Sequence, residues 1–210
     1  MKVHGVIRRS VRSVVFASAF LLALSAFAPR SAEAVPPVLR PATGSMYATF
    51  GIGGAFTISG DVLGVGFPSQ FRMEQAFGWH FLGGASGPAV ALHLGENFGG
   101  VTVLGIDVSV FAFQMQGRFL WDFQPVANLG LYIAPYFGMG FSVASAGDPC
   151  DQYSNDCSEG AFNMGFGGEV RLALGGMGLV FFRPISFDFN FGEETIIRYE
   201  LMLGGGLYFF

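Results

Sequence analysis

Two histidines and several acidic residues are the side chains of this sequence that could carry out acid–base chemistry. His80 and His93, together with Glu74 and scattered serines, supply the residue types of a Ser–His–acid catalytic centre. Such a centre requires a nucleophile, a base and an orienting acid within hydrogen-bond reach of one another. No spacing in the sequence specifies that arrangement, so we expect both histidines to be structural and the chain to lack enzymatic activity.

Charged side chains also recur at alternate positions inside stretches that are otherwise apolar. Alternate residues of a β-strand point to the same side of a sheet, so these charges would share one face of their strands. In the lumen of a narrow barrel they would pair, because an unpaired buried charge is costly. A narrow ion path or a small-ligand site is the alternative for the same residues. The predicted lumen set is Arg72, Glu74, His80, Arg118, Glu169, Arg171, Asp188, Arg198 and Glu200.

The N-terminal segment predicts an export signal. Basic residues precede the apolar run Val14–Ala28, and Ala32–Ala34 supplies the small–x–small pattern of a cleavage site. We expect residues 1–34 to be removed, residues 35–44 to form a periplasmic N-terminal extension, and residues 45–210 to form the folded domain. A single membrane anchor is the alternative, but the apolar run is short for a span of about 20 residues.

Cleavage would change the charge of the chain. The full sequence has 11 basic and 15 acidic residues, and the removed segment holds five of the basic residues and one of the acidic ones. The mature chain would therefore be strongly acidic, which argues against nucleic acid as a partner.

The two cysteines, Cys150 and Cys157, lie close together in the acidic segment AGDPCDQYSNDCSEG. Export would bring them to an oxidising compartment, which favours a local disulfide over two free thiols. The carboxylates of residues 148–159 could hold a divalent cation, but they lack the spacing of an EF-hand loop. We therefore expect a solvated, disulfide-closed external loop, and neither a metal site nor a cofactor.

The composition indicates that the hydrophobic residues are dispersed through short elements. Hydrophobic residues make up 51% of the chain and charged residues 12%, with a mean hydropathy of +0.50. Typical soluble domains contain about 25% charged residues. Beyond the N-terminal segment, glycine, proline or a charge interrupts every apolar run before the roughly 18 residues that a spanning helix requires.

Apolar residues alternate with small or polar ones along most of the mature chain. In EGAFNMGFGGEVRLALGG, Phe162, Phe166 and Leu172 share one parity, whereas Glu169 and Arg171 share the other. About eight such segments occur, and their apolar parity is too bulky to fill a small barrel. A soluble lipocalin-like barrel would turn its apolar face inward. We predict the inverse, an all-β transmembrane antiparallel up-and-down β-barrel with lipid around it.

Arg183 is the exception to this alternation. It lies on the apolar parity of its segment with Leu179 and Phe181, which we expect to face lipid. A lipid-facing arginine at mid-depth would cost about 2–4 kcal/mol. Because Pro184 cannot donate to a ladder hydrogen bond and prolines occur at bulges, we predict a bulge that turns Arg183 inward.

Connection lengths predict the orientation of the barrel. With a periplasmic N-terminus, the external loops would be residues 60–69, 96–105, 146–160 and 192–195, and the shorter periplasmic turns would be residues 83–87, 122–128 and 175–176. Trp79 and Trp121 would then lie near the periplasmic ends of their strands, where an aromatic girdle belongs. Tyr199 is the third predicted membrane-interface aromatic residue.

The export signal, the strand count and the aromatic C-terminal strand LMLGGGLYFF resemble those of small outer-membrane β-barrel proteins of Gram-negative bacteria, of the OmpA transmembrane-domain and OmpX type. The resemblance implies an outer-membrane location, a lipid-covered wall and a monomer. It also implies that Phe209 or Phe210 belongs to the signal that the barrel-assembly machinery recognises. The resemblance therefore implies a structural or surface-interaction role, but it does not indicate an external ligand. A narrow pore or small-ligand conduit is the first alternative, and a lipid-modifying enzyme the second.

Overall fold

Ten β-strands account for nearly all of the residues that the structure describes. The computed structural model describes residues 46–59, 61–62, 65–66, 69–81, 87–103, 106–126, 130–146, 158–174, 177–192 and 195–209. The strands are β1 (Met46–Ser59), β2 (Asp61–Val62), β3 (Val65–Gly66), β4 (Gln70–His80), β5 (Gly87–Val103), β6 (Ile106–Val126), β7 (Leu131–Ala146), β8 (Ser158–Leu174), β9 (Gly178–Phe191) and β10 (Thr195–Phe209). Within these residues, no helix is long and apolar enough to cross a membrane.

Several sequence predictions concern residues outside the described part of the chain. These are the signal segment (residues 1–34), the N-terminal extension (residues 35–44), the pair Cys150 and Cys157, and Phe210. The cleavage and the disulfide therefore stay predictions. Phe209, the other candidate assembly residue, ends β10 and is 45% exposed.

Eight of the strands close into one antiparallel barrel, in the order β1–β10–β9–β8–β7–β6–β5–β4. Strands β2 and β3 form a separate two-stranded sheet. The first and last strands complete the ring, with Met46 opposite Phe209 at one end of their ladder and Ser59 opposite Ile197 at the other. We call the Met46 end of the barrel the terminal end and the opposite one the distal end. The predicted all-β antiparallel barrel is confirmed.

The two faces of the barrel wall differ in polarity, as the alternation predicts. Along β4, Arg72 and Glu74 are buried inside, whereas Phe71, Phe77 and Trp79 are 50%, 56% and 47% exposed on the outside. The other barrel strands also carry exposed large apolar side chains, while the buried positions are mostly charged, polar or small. The wall is apolar outside and polar inside, the inverse of a soluble barrel.

A bulge in β9 reverses the side of the wall that its side chains face. In the ladders with both β8 and β10, the β9 segment between residues 182 and 187 contains one residue more than the strand opposite. Arg183 is 1% exposed in the lumen, so the inward turn predicted beside Pro184 is confirmed. The prediction that Leu179 and Phe181 face lipid is wrong. Both are buried, because the positions before the bulge share the inward parity of Arg183.

The β5–β6 hairpin is longer than predicted. The predicted external loop of residues 96–105 is wrong for most of its length, because β5 continues to Val103, which pairs with Ile106. The β-branched residues of GGVTV and IDVSV favour continued pairing. The neighbouring ladders stop earlier, at Phe98 beside β4 and at Val110 beside β7. The tip of this hairpin therefore extends past both neighbouring strands at the distal end.

Candidate functional site: the charged lumen

Five arginines and five acidic residues are buried together inside the barrel. They occupy inward positions of β4, β6, β8, β9 and β10, and each is at most 4% exposed. The numbers of positive and negative side chains are equal, so each buried charge has an opposite charge available within the lumen. The set is Arg72, Glu74, Arg118, Asp122, Glu169, Arg171, Arg183, Asp188, Arg198 and Glu200.

Glu74 is the centre of this network. Its carboxylate accepts hydrogen bonds from both terminal nitrogens of Arg183, at 2.7 and 3.1 Å. Arg72 donates to it at 3.0 Å and Arg118 at 3.4 Å. The Nδ1 atom of His93 lies 2.8 Å from the same carboxylate. One carboxylate thus joins β4, β5, β6 and β9.

Arg183 links this centre to a second cluster nearer the terminal end. Its Nη2 atom donates at 2.8 Å to Glu169, whose other oxygen accepts a 2.6 Å hydrogen bond from Nε of Arg171. The Nη1 atom of Arg171 lies 3.4 Å from Asp122, which also bonds to His80. The second cluster adds β8 to the strands that the first one joins.

A third cluster forms around Glu200. The Nη1 atom of Arg72 lies 2.9 Å from its carboxylate, and Ser186 donates to it at 3.4 Å. Ser186 also bonds to the hydroxyl of Tyr136. The guanidinium carbon of Arg118 lies 4.4 Å from the centroid of the Tyr136 ring, within cation–π distance.

Together these contacts connect all eight strands of the barrel. Strand β1 enters through Tyr47, whose hydroxyl accepts a hydrogen bond from Arg171 at 3.1 Å, and β7 enters through Tyr136. The charged residues and His93 connect the other six strands. The network therefore couples strands across the lumen that share no ladder.

Carboxamides accompany the charges toward the distal end. Asp188 accepts hydrogen bonds from Gln114 at 2.9 Å and from Gln116 at 3.4 Å. Arg198 donates to the side-chain oxygen of Asn190 at 3.3 Å. Asp188 and Arg198 thus lie in an amide-rich layer of the lumen.

Apolar side chains fill the lumen toward the terminal end. Gly78 lies against the ring of Tyr47, so that a Cβ atom built on Gly78 would overlap the ring carbons. The hydrophobic cluster consists of Tyr47, Ala89, Ala91, Leu120, Ala134, Tyr136, Leu179 and Tyr208. The composition of the lumen therefore changes along its axis: apolar side chains share the terminal end with the cluster of Arg171, Asp122 and His80, charges fill the middle, and amides are added toward the distal end.

The predicted interface aromatics lie at different heights on the barrel. Trp79 and Trp121 are 47% and 43% exposed on the outer wall at the terminal end, and Trp79 packs 4.9 Å from Phe81 between ring centroids. Tyr199 lies in the distal half of the wall, where its hydroxyl donates to the backbone oxygen of Pro184. Tyr199 therefore lies apart from Trp79 and Trp121, which are at the terminal end of the outer wall.

The structure brings all nine residues of the predicted lumen set into the lumen and adds others. The predicted set lacks Asp122, because the sequence predicts a turn over residues 122–128, whereas β6 continues to Val126. Asp122 has the same parity as Arg118, and this parity alone indicates that its side chain faces the lumen. The inward turn of Arg183 was predicted, but its place between two carboxylates depends on the register of distant strands. The parity of His93 predicts that it faces inward, but nothing in the sequence indicates its partner, Glu74.

The histidines take part in the lumen network. His80 bonds to Asp122 and His93 to Glu74, and both histidines are buried. Among the described residues, no group of three or more His, Cys, Asp or Glu side chains is placed to hold a metal ion. The chemistry of this site is ion pairing and hydrogen bonding between strands.

Eight antiparallel strands, an apolar outer wall and a charged lumen define the architecture of a small outer-membrane β-barrel. Neither a protein-family model nor a curated protein matches the chain. Solved structures do match it. They include Ail, the attachment invasion locus protein of Yersinia pestis, in complex with the heparin analogue sucrose octasulfate, a major outer membrane protein from Thermus thermophilus, and Neisserial surface protein A.

These three similarities extend over most of the chain. Each has a TM-score of 0.54, with sequence identities of 10%, 14% and 11% in the same order. The matches cover 80%, 79% and 78% of this chain and 99%, 99% and 96% of the three proteins. At such identities the similarity shows a shared fold.

Proposed function

We propose that this chain is an integral outer-membrane protein with a structural and surface-interaction role. The observation that carries the proposal is the polarity of its wall. Side chains such as Phe77 and Leu203 are 56% and 60% exposed, whereas the charged side chains of the lumen are buried. Lipid around a closed barrel makes that arrangement favourable, and water does not. The fold shared with outer-membrane proteins such as Ail supports the location.

The charged lumen, in this proposal, holds the barrel together. Its support is the chain of contacts from Glu74 through Arg183 to Glu169, which braces strands across the interior. A narrow pore or small-ligand conduit is the second candidate. It is favoured by the amide-rich distal layer, where side-chain nitrogens of Asn97 and Asn163 have no hydrogen-bond partner among the described residues.

Surface interaction would take place at the distal end. The β5–β6 hairpin tip offers backbone groups that a partner strand could pair with. The connections after β7 and β9 are acidic, with Asp148, Asp151, Asp156, Glu193 and Glu194. Ail is seen with a highly sulfated ligand. The acidic connections here favour a partner of the opposite, basic character.

Export and assembly complete the proposal. Residues 1–34 would be cleaved, Cys150 and Cys157 would close the external loop with a disulfide, and Phe209 or Phe210 would be read by the barrel-assembly machinery. Enzymatic activity is not proposed, because His80 and His93 are buried inside the barrel, where a lipid substrate outside the wall cannot reach them.

Two measurements test this function. Protein extracted from isolated outer membranes should migrate differently on SDS gels before and after boiling, because a closed barrel resists detergent until heated. Recovery as a soluble periplasmic protein without that shift would overturn the membrane location. In planar bilayers we expect no conductance above background, and steady single-channel currents would favour the narrow pore instead.

A further inference from the structure

Two acidic side chains of the lumen meet each other beside the bulge of β9. Asp188 and Glu200 are both 0% exposed, and a side-chain hydrogen bond joins their carboxyl groups. Arg183 at the bulge and Asp188 after it both face inward, although an unbroken strand would turn residues at this spacing to opposite sides. Glu200 lies on β10 between Tyr199 and Met202, where the ladder with β9 shifts its register. The bulge therefore creates the contact, which we call the Asp188–Glu200 pair.

A hydrogen bond between two carboxyl groups requires a proton. An ionised carboxylate has only acceptor oxygens, whereas a protonated acid can donate through its O–H group. Two carboxylates in contact away from water also repel each other, so a buried pair of this kind retains one proton. The proton belongs to the pair as a whole, because two acids in contact titrate as a coupled unit.

Neutral donors surround the Asp188–Glu200 pair. Gln114 and Gln116 donate to Asp188 at 2.9 and 3.4 Å. Ser186 donates to Glu200 at 3.4 Å. These groups hydrogen-bond to the acids without supplying a positive charge, so they satisfy a pair that carries one negative charge between its two members.

The arginines of the lumen concentrate on a different acid, Glu74. Among the described residues, Glu74 forms ion pairs with Arg183, Arg72 and Arg118, at 2.7, 3.0 and 3.4 Å. The ion pair at the Asp188–Glu200 pair joins Glu200 to Arg72 at 2.9 Å, and Arg72 is shared with Glu74. Three ion pairs thus stabilise one ionised carboxylate at Glu74, whereas a single shared one serves two acids here.

We propose that Asp188 and Glu200 form a proton-binding site in the lumen, in which the two carboxyl groups share one proton at neutral pH. In the unfolded chain each acid is solvated and ionised above about pH 5. The folded barrel then binds one proton more than the unfolded chain, so the free energy of unfolding falls as the pH rises from this value. The site adds a dependence on pH to the structural role proposed for the lumen, on which the stability readout below rests.

The side chains around the site do not produce this dependence themselves. Those that interact with the pair electrostatically include Arg72 from β4, Arg118 from β6, Tyr136 from β7 and Arg198 from β10. Arginines and tyrosines do not change charge between about pH 5 and 7. Strand β1 places Ala55 opposite Glu200, and β8 places Gly165 against Asp188. On β5, His93 bonds to Glu74, and its titration is common to all the variants compared below.

Infrared spectroscopy of the folded protein in lipid vesicles detects the proton directly. The carbonyl stretch of a protonated acid is separate from the carboxylate bands, so the wild type should show it at neutral pH. Glu200→Gln and Asp188→Asn should each lose this band, because the acid that remains is ionised. Glu159→Gln is the matched control, since Glu159 lies partly exposed near the distal end of β8, and this variant should keep the band.

The pH dependence of stability tests the site independently. Urea titrations in vesicles at about pH 5 and 7 give the equilibrium constant of unfolding for each variant. The ratio of this constant for the wild type to that for Glu200→Gln should rise about tenfold per pH unit, the effect of one proton. The ratio of the wild type to Glu159→Gln should stay constant.

Three results overturn the proposal: a folded wild type without the protonated-acid band, a band that persists in Glu200→Gln and Asp188→Asn, or a ratio of wild type to Glu200→Gln that does not change with pH. If one of the two variants does not fold, the other provides the same comparison. Heat-dependent mobility of each sample reports the folded barrel separately, so failure of the proton site and failure of the proposed structural role are distinguishable.

Discussion

Arg183 contacts two carboxylates at the centre of the lumen. Replacing it with methionine would remove the donor to Glu74 and Glu169 and leave both acids with fewer partners. Breaking a buried ion pair in this way costs about 3–5 kcal/mol, so we expect Arg183→Met to lower the free energy of unfolding by that amount. Urea titration of the protein in lipid vesicles measures it.

A charge-preserving variant separates charge from geometry at this position. Arg183→Lys should recover part of the loss, because a single ammonium group cannot reproduce the two-nitrogen contact with Glu74. Unchanged stability of Arg183→Met would show that the network does not stabilise the barrel.

Gly78 is a position where the packing of the lumen leaves no room for a side chain. A methyl group there would meet the ring of Tyr47, which cannot move without disturbing Arg171. Overpacking of this kind costs about 1–3 kcal/mol, so Gly78→Ala should lower the thermal midpoint. Gly160→Ala is the control, since nothing lies within 4 Å of its Cβ position, and its midpoint should stay at the wild-type value. Equal thermal midpoints for Gly78→Ala and Gly160→Ala would contradict the close contact between Gly78 and the Tyr47 ring.

At the scale of strands, the β5–β6 hairpin tip should be dispensable for folding. Residues 101–108 pair only with each other across the hairpin in the described ladders. Replacing them with Asn-Gly would join Gly100 to Ser109, which already face each other, through a favoured two-residue turn. We expect the heat-dependent mobility and the thermal midpoint to be retained. A variant that no longer folds would show that the tip contributes to the barrel.

Strand parity could be predicted from the sequence where the alternation is unbroken. In β8 the outward Phe162 and Phe166 and the inward Glu169 are as predicted, because one residue type fills each face. In β9, Arg183 and Pro184 indicate a bulge, but parity alone cannot tell which half of the strand is reversed. That choice depends on the ladders with β8 and β10, which local sequence does not encode.

For the whole molecule, the inversion of the barrel followed from side-chain volume. The bulky apolar parity could not fit inside, so it had to face outward. The pairing of the lumen charges could not be predicted in the same way. Glu74 meets Arg183 from the far end of the chain, and that contact exists only once eight registers close into a ring. Each single strand is compatible with many partners.

Membrane embedding predicts a depth-dependent effect of charge on the outer wall. Met139 and Ser145 lie on the same face of β7, the first near mid-height and the second near the distal rim. Met139→Arg should lower the free energy of unfolding in lipid by about 2–4 kcal/mol, and Ser145→Arg by about 0–1 kcal/mol. Urea titration of both variants in vesicles measures the difference. Similar values for the two positions would contradict a lipid-covered wall.

The pairing of the first strand with the last has a kinetic consequence. The ladder between β1 and β10 joins residues from opposite ends of the folded chain, whereas the hairpin ladders join strands that follow one another. Contacts between such distant residues form slowly, since a long loop must be closed before they contribute. We therefore expect ring closure to be the last step of folding, and until it occurs both outer strands carry unpaired edges. We therefore expect a longer-lived open state to increase the fraction of chains lost to aggregation, even when the finished barrel is equally stable.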